Sequence, residues 1–214
     1  MIDYQHLSLL TISWLVYFFI HSSTASLYLK RWLFSHYPSL MPWYRISYNA
    51  LAAILVMIPL WLMHSVSATF FIEWTGVGQW ISHGLALLAI AGFLYSLKYY
   101  DGSEFLGFRQ ISERAVQVED QEHFQLSPLH CYVRHPWYFF ALVIIWTRDM
   151  DVYFFVSATL MTLYFILGSW LEERKLVQYH GDIYREYLTK VPGLIPLPWR
   201  YLSDSQAKTL LNRD

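Results

Sequence analysis

Apolar residues in this chain come in long runs rather than in alternating or striped patterns. Five runs stand out, at residues 7–25, 46–63, 80–99, 136–147 and 152–171. A run of about twenty apolar residues matches the ~30 Å hydrocarbon core of a bilayer at ~1.5 Å of helix per residue. The fourth run is short, about 18 Å of helix. Only Arg148-Asp149-Met150-Asp151 separates it from the fifth, so the two are expected to form a helical hairpin. The expected fold is all-α and polytopic, with about five transmembrane spans, a C-terminal hairpin and a cytoplasmic tail. We read one membrane domain: three N-terminal spans within residues 1–100, a cytoplasmic loop at 101–133, and the hairpin and tail at 134–200.

The polar stretches punctuate this pattern. Residues 98–133 hold the longest one before the tail, with an acidic patch at residues 119–122. In the tail, Gly181 reads as a helix stop and Asp182 as the N-cap of a new helix, which Pro192 and the prolines after it end.

Composition agrees with a bilayer as solvent. The chain is 56% hydrophobic and 14% charged, where a soluble domain carries about 25% charged residues. Ten Trp and seventeen Tyr, many near the ends of the runs, suit an aromatic belt. A net charge of −1 argues against nucleic acid as a partner. The single cysteine, Cys131, excludes an internal disulfide. Nine His without ligand spacing argue against a metal site. With five spans and the N-terminus outside, every Lys and Arg except Arg148 falls on the cytoplasmic side. That bias puts the C-terminus in the cytoplasm. A bacterial inner membrane is the expected location.

Candidate chemistry gathers at the ends of the hairpin. It opens with Arg134-His135-Pro136-Trp137-Tyr138 and closes with Glu172-Glu173. Ionisable residues at such places are costly and are functional candidates. Proline suits the first turn of a helix and pushes the preceding residue out of helical conformation. His135 is therefore expected to be extended and a helix to start at Pro136. The N–H groups of that turn can seat an anion, and the Arg134 fork suits a carboxylate. The same residues also fit an anchor Arg before a helix-starting Pro. Glu172 and Glu173 also fit solvated charges ending a span. Adjacent helical residues diverge, so one glutamate is expected to face a site while the other pairs with a cation.

The ordered set Arg134-His135-Pro136-x-Tyr138, Glu172-Glu173, Gly181-x-x-Tyr184-x-x-Tyr187 and Val191-Pro192 resembles the membrane methyltransferase superfamily of isoprenylcysteine carboxyl and phospholipid methyltransferases. The likeness covers residues 124–198. A second likeness lies in His21, Tyr44-Arg45, Tyr48-Asn49 and Gly107-Phe108-Arg109-Gln110, which look like the branch of bacterial methanethiol S-methyltransferases. The chain departs from the superfamily at Pro128 and His130, where many members carry Gly and Tyr.

The resemblance implies an S-adenosylmethionine-dependent methyltransferase acting on a small thiol or a lipophilic acceptor from the bilayer. It implies cofactor contacts from Arg134, His135, Pro136, Tyr138, Glu172, Glu173, Tyr184 and Tyr187. Catalytic roles fall to His135 and Arg134, with His130 a second candidate base. Acceptor contacts fall to His21, Asn49 and Arg109. The three tyrosines also fit belt anchors, and His21 an interfacial histidine. Two other readings stand beside this one: a non-catalytic membrane partner protein, and an NADPH-dependent membrane reductase.

Overall fold

The computed structural model describes residues 2–114 and 126–212, so the acidic patch at 119–122 lies outside the described residues. The helices follow in chain order: α1 (Tyr4–Ala25), α2 (Leu27–His36), α3 (Met41–Ser65), α4 (Val77–Ser96), α5 (Gly102–Leu106), α6 (Phe108–Ser112), α7 (Pro136–Trp146), α8 (Val152–Lys190) and α9 (Asp204–Leu211). Among the described residues the only β pairing is two isolated antiparallel bridges, Ile72 with Met150 and Leu197 with Arg200. All five expected apolar runs are helical. α1, α3, α4 and α8 are long and apolar enough to cross a membrane, and α7 is a shorter apolar helix. Their outer faces carry large apolar side chains: Phe19 is 73% exposed, Leu88 70% and Trp80 79%. Surface of this kind is stable against lipid and a liability in water. This is an all-α, polytopic integral membrane protein.

Two compact units share the chain. The first holds α1, α2, α3, α5, α6 and α8 up to Leu160. Asp3 caps α1, accepting from the N–H groups of Gln5 and His6 at 3.0 and 3.1 Å. Trp14 is fully buried and its indole N–H donates to the Ser157 hydroxyl at 2.9 Å, which satisfies both groups in the core. The N–H of Asp3 donates to the Tyr153 hydroxyl at 3.1 Å. Between α5 and α6, Gly107 sits at φ 97°, and a Cβ there would lie 2.6 Å from the backbone nitrogen of Ile46. Both its conformation and its contact require glycine.

The second unit holds α4, α7, the rest of α8 and α9. α4 and α7 approach closely because Gly92 has no side chain: a Cβ there would lie 2.6 Å from the Phe140 ring. The Trp137 indole donates to the Ser96 hydroxyl at 2.7 Å, and the Trp146 indole to the Thr162 hydroxyl at 3.0 Å. α8 breaks at Gly181, which takes φ 57° and ψ −127°. The expected stop is there, but the expected cap is not. Gly181 itself occupies the non-helical position, so Asp182 is already in the next helical turn. Its carboxylate pairs with Arg185 at 3.1 Å instead of capping.

Candidate functional site

The opening of α7 has the expected backbone. His135 takes φ −121° and ψ 72°, outside the helical region, and Pro136 occupies the first turn. What fixes this extended dipeptide is the tail beyond α8. The N–H of Arg134 donates to the Pro192 carbonyl at 2.9 Å, and the N–H of His135 to the Gly193 carbonyl at 3.1 Å. A further bond, Leu202 N–H to the Cys131 carbonyl at 2.9 Å, ties the preceding turn to the same tail.

The side chains then converge. Arg134 donates through Nε to Glu173 Oε1 at 2.8 Å. Its Nη1 donates to the Leu188 carbonyl at 3.1 Å and to the Val191 carbonyl. The guanidinium thereby takes up carbonyls at the C-terminal end of α8, where a cation is favoured. His135 Nε2 lies 3.0 Å from the same Glu173 oxygen, and Nδ1 lies 3.6 Å from Glu172 Oε2. With Glu173 ionised, Nε2 is the donor of that bond. The His135 ring stacks on Tyr138 at 5.3 Å and 10°, and Tyr138 stacks on Phe165 at 4.9 Å and 12°. The Tyr138 hydroxyl lies 3.5 Å from Glu172 Oε2.

The two glutamates differ as their divergence on the helix requires. The Glu173 side chain is 16% exposed and holds both Arg134 and His135, while that of Glu172 is 45% exposed. The Arg134–Glu173 pair is largely desolvated, at 13% and 16% exposure. Such a pair strongly penalises loss of either partner, because the survivor is left charged and buried.

Behind this cluster lies an apolar core that contains Tyr184 and Tyr187 together with Cys131, Val191, Leu202, Ala207 and Leu210. The Tyr187 hydroxyl donates to the His130 carbonyl at 2.7 Å. Both tyrosines are therefore placed where they support the turn that carries Arg134. His130 accepts at Nδ1 from the Ser127 N–H at 3.3 Å. Burial, helped by nearby His135, pushes its pKa down to about 4. A ring so tuned is a weak proton acceptor at neutral pH. Burial, with the Asp204 carboxylate, pushes the Cys131 thiol up, so it stays protonated and unreactive.

The three residues expected to contact the acceptor lie in the first unit. His21 Nε2 lies 2.8 Å from the Tyr48 hydroxyl. Asn49 donates to the Phe105 carbonyl at 2.9 Å, which Arg45 Nε also reaches at 3.3 Å. Arg109 is surrounded by carboxylates, with Glu113 at 3.0 Å, Glu104 at 3.3 Å and Asp101 at 3.5 Å. Sequence reasoning missed Phe165, Ser96, Gly193 and the Leu188 carbonyl as members or supports of the cluster. Only Gly193 left a signal, as the second residue of a Pro-Gly pair just after the expected helix end.

Comparison with characterised proteins gives this architecture a class, the membrane methyltransferases. The chain is 30% identical over 181 residues to the methanethiol S-methyltransferase of Crocosphaera subtropica, spanning 82% of this chain and 69% of that protein. It is 28% identical over 185 residues to the enzyme of that name from Pseudomonas deceptionensis, spanning 82% and 67%. It is 27% identical over 190 residues to that from Mycobacterium tuberculosis, spanning 85% and 74%. No family profile and no solved structure matches the chain. The chain belongs to the methanethiol S-methyltransferase family.

Proposed function

We propose that this protein moves a methyl group from S-adenosylmethionine to a small thiol, at the cluster of Arg134, His135, Tyr138, Glu172 and Glu173. The observation that carries the reading is likeness to methanethiol S-methyltransferases over 82% of the chain, in a protein whose Arg-His-Pro and Glu-Glu motifs fold together. The donor would bring a methionine carboxylate and ammonium, a ribose diol, an adenine and a sulfonium. The cluster offers a complement to each polar part: a guanidinium and the helix start at Pro136 for the carboxylate, glutamate oxygens for the ammonium or diol, and the Tyr138 ring for a flat or cationic group.

In the transfer, a thiolate sulfur attacks the methyl carbon in line with the breaking C–S bond. The thiol proton goes to solvent or a base, and a thioether and S-adenosylhomocysteine are formed. Positioning and exclusion of water supply most of the help such a step needs, up to about 7–11 kcal/mol in favourable cases. His135 and Arg134 act by holding donor and carboxylates in register. His21, Asn49 and Arg109 are the residues we assign to the acceptor side. The charge bias and the bacterial relatives support a bacterial inner membrane, with the N-terminus outside and the C-terminus cytoplasmic.

The test is methyl-labelled S-adenosylmethionine with methanethiol and the purified protein in detergent. Labelled dimethyl sulfide is expected, and Glu173→Ala should abolish it. No label transfer together with no stabilisation by S-adenosylhomocysteine would overturn the proposal. Stabilisation by NADPH would then favour a reductase, and no response to either ligand a non-catalytic partner protein.

A further inference from the structure

One corner of the Arg134 guanidinium remains uncommitted. Nε is used by Glu173 and Nη1 by two carbonyls, yet Nη2 donates to no acceptor among the described residues. Glu173 is in the same condition: Oε1 takes both Arg134 and His135, and among the described residues Oε2 receives no hydrogen bond. An open donor and an open acceptor thus sit on the two partners of one ion pair. Beside them is Gly193. It is not among the glycines with positive φ, so its conformation does not demand glycine. Its surroundings are tight: a Cβ there would stand 3.2 Å from Arg134 Nη2 and 3.8 Å from Glu173 Oε1, so a side chain would press on the open donor. Gly193 is also fixed, since its carbonyl accepts from the His135 N–H.

We infer that Gly193 keeps open a seat for the α-amino-acid end of the donor, and so sets specificity for a zwitterionic ligand. Arg134 Nη2 takes the carboxylate and Glu173 Oε2 the ammonium. The absent side chain leaves the carboxylate its path to Nη2. This rests on the methyl-transfer reading and goes beyond it by naming the residue that selects for the amino-acid end.

The experiment compares two ligands on the full chain in detergent. S-Adenosylhomocysteine carries the amino-acid end, and 5′-methylthioadenosine has the same nucleoside and thioether without it. Wild type should bind the first at least about tenfold more tightly. Gly193→Ala should remove that advantage and leave the second within roughly twofold of wild type. If wild type binds both equally, or the variant weakens both equally, Gly193 is a packing residue and the inference is overturned while methyl transfer stands. If wild type binds neither ligand, both fall. Should Gly193→Ala fail to fold, the carboxyl methyl ester of S-adenosylhomocysteine on wild type carries the test: a loss of at least about tenfold supports the seat, and unchanged affinity overturns it.

Discussion

Two arginines in this protein meet carboxylates in opposite ways. Arg109 has three within reach, and every member of that group is about half exposed: 49% for Arg109 and 46–58% for its partners. Arg134 has one carboxylate, but the pair is desolvated and the remaining donors reach backbone carbonyls. Counting charges would make Arg109 the stronger site. Solvent reverses the ranking, because water and salt screen the exposed group while nothing replaces a partner lost from the buried one. The number of ion pairs says little; what they exclude says more.

That contrast can be broken most forcefully at Glu173. Glu173→Ala leaves the Arg134 and His135 donors facing an empty corner, and should cost about 3–5 kcal/mol together with methyl transfer. Chemical denaturation in detergent and labelled-methyl assays read both. Next is Gly107, which joins α5 to the helix α6 that carries Arg109. Gly107→Ala forces a side chain at φ 97° into the Ile46 backbone. It should cost about 1–3 kcal/mol by thermal unfolding.

A subtler effect sharpens the buried side of the comparison. His130 titrates at about 4 in the fold against 6.5 in the unfolded chain. Between those values the unfolded chain takes up a proton that the fold refuses, so stability is complete above about pH 6.5 and falls as the pH drops toward 4. Unfolding midpoints across that window should show the slope, and His130→Asn should flatten it. Smallest is Arg109→Ala, whose thermal midpoint should match wild type at 0.5 M salt and differ only marginally at low salt, as roughly 10 Å screening lengths at 0.1 M imply. A large loss there would erase the distinction between the two arginines.

Much of this was legible in the chain. The apolar runs announced their helices because lipid demands long continuous stretches, and Pro136 marked the start of α7 because its ring permits little else. Gly181 marked a break, but the cap assigned to Asp182 failed: the glycine's own left-handed φ completes the turn and leaves no capping position behind it. The partners of Arg134 were harder to read. Glu173 stood in view as a motif, while the Leu188 and Val191 carbonyls and the Pro192 and Gly193 backbone acceptors carry no side-chain signature. Contacts made by main-chain oxygen across fifty or more residues leave little trace in residue type. Arg134 was legible as a candidate seat for an anion, but not that its own chain takes up Nε and Nη1.

The backbone bonds from Arg134 and His135 to Pro192 and Gly193 also set an order of events during synthesis. The ribosome must make almost sixty further residues after Arg134 before its acceptors exist. The hairpin can enter the bilayer during that interval, yet the corner that holds Glu173 cannot close until the last stretch of chain has emerged. A nascent chain arrested before residue 190 should be membrane-inserted and still unable to retain a nucleoside ligand.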